Sequence, residues 1–137
     1  MKSLFSDKGV AAIEFALVLP ILVVLTFGLI EFGLLMYNQQ VITNAAREGA
    51  RRGIVQEDPR IGVPEIEATV HNYADTHLIP LSTPVPPTVN VSAACTAFAQ
   101  DLRVTVTYPY TFLVVQNLIP GLGSFLNLTS ESVMKCE

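Results

Sequence analysis

Residues 15–30 carry no charge, and apolar positions on both sides let one helix be drawn over residues 10–37. Those 28 residues would extend about 42 Å at the usual helical rise, more than the roughly 30 Å of a bilayer's hydrocarbon core. Polarity rises from Asn38 to Gln40, yet helical spacing continues through Val41, Ala45, Gly49 and Gly53, with Ile42, Ala46 and Ala50 on the adjacent row. The helix is therefore expected to leave the bilayer unbroken and to run on over residues 38–56. Its stripe of small residues permits close approach by another backbone, either a neighbouring subunit's stalk or this protein's own sheet. Charge and proline at Gln56, Glu57, Asp58 and Pro59 end it.

Beyond that boundary the period changes. Pro64 followed by Glu65 and Glu67 suits a first helical turn, and Ile66, Val70, Tyr73, Ala74 and His77 or Leu78 form one apolar face. A linker with Pro80, Pro84, Pro86 and Pro87 follows. Alternation through Val89 and Val91 predicts one strand, and alternation through Leu102, Val104, Val106, Tyr108, Tyr110 and Phe112 a second, clearer one. A third, weaker strand is expected over residues 125–135, after a loop with Pro120, Gly121 and Gly123. The predicted fold is α+β: a long N-terminal transmembrane and stalk helix carrying a small head, residues 57–137, of one short helix packed on a three-stranded antiparallel sheet.

Half of the 137 residues are apolar and the formal charge is −4, a balance that offers nothing to nucleic acid. The head is near the lower size at which a core alone suffices, so a covalent staple would help. The two cysteines, Cys95 and Cys136, fit a disulfide in an oxidising compartment. In a plain meander, however, the outer strands lie about 9.5 Å apart, beyond the roughly 7 Å Cα reach of a bridge. Cys95 must then sit past its strand and fold over the edge, which the connection over residues 93–100 is long enough to allow. A pair of free thiols is the alternative. Enzyme parts are missing: there is no glycine-rich phosphate loop, nucleophile motif or Cys-x-x-Cys. Glu67, His71 and Asp75 share a helix stripe that reads as a solvated face rather than as metal ligands. No cofactor is expected.

The candidate chemistry lies at the mouth of the apolar helix. Gly9 is followed five positions later by Glu14, and Phe15 opens the uncharged run. An acid at such a helix end invites a functional explanation. A cut between Gly9 and Val10 would place a new α-amino group about one turn before Glu14, a cationic partner within the chain or between neighbouring helices. The plainer reading places Glu14 at headgroup level, solvated, beside Lys8. Farther along, Pro20 removes one backbone donor and either bends the axis or is tolerated there. Glu31 repeats the local text of Glu14, with Ile30 and Phe32 for Ile13 and Phe15. It reads as the mark of the outer interface, with contact to a partner helix as the second reading. A secretory signal peptide would need a shorter apolar run and a small-residue cleavage pattern, and neither is present. Lys2 and Lys8 favour a cytoplasmic N-terminus, against a competing cluster of Arg47, Arg51 and Arg52 beyond the other end.

With Gly9, Glu14-Phe15, Pro20, Glu31, Asn44-Ala45-Ala46-Arg47 and Ala50-Arg51, residues 8–53 resemble the TadE-like family of pseudopilins, of the Tad or Flp branch of type IV pilus machinery. The resemblance implies a cleavable leader, residues 1–9, removed by a prepilin peptidase, with Val10 as the new N-terminus and Glu14 and Phe15 serving assembly. It also implies a minor structural subunit assembled through its hydrophobic helix and supporting pilus biogenesis and adhesion. The implied partners are the prepilin peptidase, other pilins and pseudopilins, and inner-membrane Tad assembly proteins. The implied location is the bacterial inner membrane, single-pass, with a cytoplasmic N-terminus and a periplasmic or extracellular head. Pro20, Glu31, Ala45, Gly49 and Gly53 are the candidate helix–helix contacts. A reading of another class is an unprocessed single-span anchor whose periplasmic head binds a partner or ligand.

Overall fold

The computed structural model describes residues 7–118, 121 and 125–137; residues 1–6 of the expected leader lie outside the described residues, as do Pro120 and Gly123 of the last loop. One helix, α1 (Asp7–Ile54), runs through Pro20. Within its apolar part the Thr26 hydroxyl donates to the Leu22 carbonyl at 2.7 Å, so that polar group is satisfied inside the helix. Arg51 and Arg52 occupy the last turn, where their charge suits the negative end of the helix dipole. The helix stops two residues short of the expected Gln56, within ordinary end fraying.

Helix α2 (Val63–His77) starts with proline in its first turn and buries Ile66, Val70 and Ala74 at four-residue spacing. Tyr73 stacks on His77 at 4.4 Å on its flank, and the Leu78 N–H closes the C-terminus on the Ala74 carbonyl. Strands β1 (Thr88–Val91), β2 (Asp101–Thr111) and β3 (Phe125–Lys135) form an antiparallel sheet in the order β1-β2-β3. The architecture is α+β in two layers.

The pleat decides which side of the sheet meets the helices. Leu102, Val104, Val106, Tyr108 and Tyr110 of β2 are buried. They pair with Met134, Ser132, Ser130, Leu128 and Leu126 of β3, so one face carries the core. The other face shows Arg103, bonded across the strands to Glu131, and the facing Thr107 and Thr129 hydroxyls. From α1 the core receives Leu35, Ile42, Ala45, Ala46 and Ala50, and from α2 Ile66, Val70 and Ala74.

The small-residue stripe of α1 is filled by the chain's own head. A Cβ at Gly49 would strike Val70 of α2, and one at Gly53 would come within 2.5 Å of Leu102 of β2 and 2.7 Å of Ile66 of α2. Of the two occupants the sequence left open, the protein's own helix and sheet take the position. The head also reaches farther down than a boundary after Tyr37 implies. Tyr110 and the residues after β2 meet α1 at Glu31. The helix surface below that point is uncovered: no part of its most apolar window is buried.

The connection after β1 explains the cysteines. The Cys136 N–H donates to the Gln100 carbonyl at 2.8 Å and the Ala99 N–H to the Cys136 carbonyl at 2.9 Å, folding residues 93–100 over the end of β3. Cys95 and Cys136 are bonded, with Cα atoms 5.8 Å apart.

Candidate functional site

The uncovered helix is the first part of the site. Over residues 10–30 α1 presents apolar side chains on every side, and the 21 residues measure about 31 Å, the thickness of a bilayer core. Val10, Glu14 and Phe15 are exposed on its first turns, and a Cβ at Gly9 would meet nothing within 4 Å. Pro20 is exposed as well. Among the described residues of the single chain, these positions are left uncovered by the head. Leaving so much apolar surface in water is untenable, since each large side chain gains about 1.5–3 kcal/mol on burial. Lipid or other helices must cover it.

The second part is where that helix meets the head. Glu31 is 4% exposed. Its carboxylate accepts backbone N–H bonds from Leu113, from Val114 at 3.3 Å and from Val115 at 2.9 Å, the last residue opening a single helical turn, α3 (Val115–Leu118). The Tyr110 hydroxyl donates to the Glu31 backbone carbonyl at 3.0 Å. Burial pushes the Tyr110 phenol up to about 12, with the Glu31 charge and Tyr108 adding to the effect. Fixed backbone dipoles thus take the place of water around a buried carboxylate. The structure assigns Glu31 to an anchor within the chain, at the end of the uncovered segment; the sequence pointed to the outer interface, with a partner helix as the second reading.

Two turns on, Asn38 is fully buried and clasps the linker: its Nδ2 donates to the Ile79 carbonyl at 2.9 Å, and its Oδ1 accepts from the Ile79 N–H at 3.0 Å. Neither the Asn38 clasp nor the turn at α3 was anticipated from the sequence. A signal for both polar anchors was present. Glu31, Leu35, Asn38, Ile42, Ala45 and Gly49 alternate in steps of four and three, which puts the two polar groups on the buried stripe.

A family model described as TadE-like protein matches residues 9–51. Over that segment the chain is TadE-like. The matched segment starts at Gly9, takes in the whole uncovered helix and continues into the packed stripe; the head beyond it lies outside the match. A TadE-like protein with this N-terminal hydrophobic helix is consistent with a pilin-like protein related to the Tad pilus, and the family implies association with that system. TadE-like pilin-like proteins are not known as enzymes. No curated protein and no solved structure matches the chain.

Among the described residues, no group of three or more His, Cys, Asp or Glu side chains could hold a metal ion. An open hollow of about 350 Å³ lies between Leu78, Pro80, Pro84 and Tyr108, with Asp75 at its rim. What the described residues offer at the uncovered helix is apolar surface for packing.

Proposed function

We propose that this protein is a minor pseudopilin of the Tad pilus assembly system, cut by a prepilin peptidase after Gly9 and assembled through its N-terminal helix. The observation that carries this reading is the coincidence of the TadE-like match with an apolar helix that the head leaves bare from its start to Glu31. A soluble domain would bury such a surface; a subunit that passes from lipid to a helical bundle needs it open. Cleavage at Gly9 gives Val10 a free amine about one turn from Glu14, so charge pairing with a neighbouring subunit is created only after processing. The N-terminus is cytoplasmic and the head lies across the membrane. The head is larger than a pilin of helix alone requires, which suits an accessory position.

The test is the N-terminus of the native membrane protein, read by sequencing and intact mass. Processing predicts a chain starting at Val10, with loss of the cut in Gly9→Ala and retained cutting but impaired assembly in Glu14→Ala. A chain retaining Met1 in cells with an active prepilin peptidase would refute the reading.

A further inference from the structure

We infer that the end of the head built by the exit of β2 and the entry of β3 is seated in the bilayer surface, making a second, non-spanning membrane contact through Leu113, Phe125 and Leu126. The inference rests on the reading that residues 10–30 cross a membrane.

The geometry places this end at the membrane level. Strand β2 runs antiparallel to α1: Leu102 packs at Gly53, and Tyr110 bonds to Glu31. The Glu31 carboxylate then holds the N–H groups of Leu113, Val114 and Val115 against the helix, immediately above the uncovered segment. Phe125 and Leu126 are in register with Thr111 and Tyr110, so the start of β3 ends at the same height. At that height Leu113 is 54%, Phe125 58% and Leu126 45% exposed. Three large apolar side chains at the level where the lipid-facing helix begins, Leu126 on the core face of the sheet and Phe125 on the other, have one natural occupant, the lipid that surrounds that helix.

Charge along the chain points the same way. The 27 residues from 104 to 130 contain no Asp, Glu, Lys or Arg, although they include the outward, half-buried positions of β2 and the connection that leads to β3. Ionic groups return at the opposite end of the sheet, in the pairs Arg103 with Glu131 and Lys135 with Asp101. A charged side chain near hydrocarbon is costly, so a head that rests on lipid is expected to be charge-free on that side alone. Exposure by itself does not carry the argument. Phe98 is 84% exposed, but it belongs to the connection bonded to Cys136, near Ile54, about 35 Å along the helix from Glu31. The consequence is a head gripped at two points, by its span and by its tip, with its orientation to the membrane fixed before assembly.

The protein contains no tryptophan, so single-Trp variants report their own depth. Full-length Leu113→Trp, Phe125→Trp, Leu17→Trp and Phe98→Trp chains are reconstituted at low density into phosphatidylcholine and phosphatidylglycerol vesicles with and without brominated acyl chains. Leu113→Trp and Phe125→Trp should emit to the blue of Phe98→Trp and lose more than half their emission to lipid brominated near the headgroup. Phe98→Trp should respond only to aqueous iodide, and Leu17→Trp to deeply brominated lipid. Iodide quenching of Leu113→Trp and Phe125→Trp, with Leu17→Trp still quenched by lipid, would overturn the second contact and leave the span standing. Loss of lipid quenching at Leu17→Trp would remove the span and the inference with it. A blue shift that grows with protein density and is insensitive to brominated lipid would assign the patch to a second copy of the chain and equally overturn the inference.

Discussion

Replacing Glu31 by glutamine keeps the size and helix propensity of the side chain and removes its charge and its second acceptor oxygen. In the native chain Oε1 accepts from Leu113, and Oε2 from Val115, with Val114 shared between them. A carboxamide presents one oxygen and one NH2, so at least one backbone donor would face another donor. Hydrogen bonds to a charged group contribute about 1.5–3 kcal/mol, and an orphaned buried donor costs about 1–3 kcal/mol. The opposing effect is the desolvation of the carboxylate, which glutamine relieves. With three donors aimed at one acid, the first effect should win by about 3 kcal/mol, a hundredfold rise in the population of the open loop. Glu31→Ala strands all three donors and should open it further. Hydrogen–deuterium exchange by mass spectrometry on the full chain in nanodiscs measures this directly. Amides of residues 113–115 should exchange about a hundredfold faster in Glu31→Gln, while residues 102–106 keep their protection. Unchanged exchange at residues 113–115, or greater protection, would show that burial of the charge costs as much as its hydrogen bonds return, and the anchor would be refuted.

Gly49→Ala inserts a methyl against Val70, a stiff β-branched neighbour; overpacking of about 1–3 kcal/mol outweighs a helix-propensity gain of up to about 1 kcal/mol, so the melting temperature falls. Gly28→Ala, with nothing within 4 Å, keeps the propensity gain without the clash, so the isolated chain's melting temperature does not fall, and a calorimetric comparison of the two variants checks the contrast. Reduction of Cys95–Cys136, which closes a separation of 41 residues, costs about 4 kcal/mol and lowers the thermal midpoint by on the order of 15 °C. Equal melts of oxidised and reduced protein would contradict that. Burial raises the Tyr110 phenol to about 12 from 10, so the folded state holds its proton longer than the unfolded one. This contribution to stability is whole below pH 10 and lost as pH rises toward about 12. An alkaline titration followed by circular dichroism, with phenolate absorbance read in parallel, should show the loss and its reduction in Tyr110→Phe.

The order of elements was legible in the chain because period alone separates them: an uncharged run, a helical stripe of small residues, then two-residue alternation in β2. Even the path of Cys95 past its strand followed from the spacing of strands in a meander. The glycine and glutamate at the head of the helix were equally plain as positions five apart, and both lie exposed on one helix. What tertiary structure decided was the use of the stripe and of the polar residues within it. Glu31 next to Ile30 and Phe32 reads the same whether it faces water, a partner or the head. Only folding brings the N–H groups of Leu113, Val114 and Val115 to it across some 80 positions. Asn38 likewise finds Ile79 through space. Periodicity tells a helix which face is buried; it holds no record of which backbone donors arrive there, because those are supplied by the sheet that closes over it.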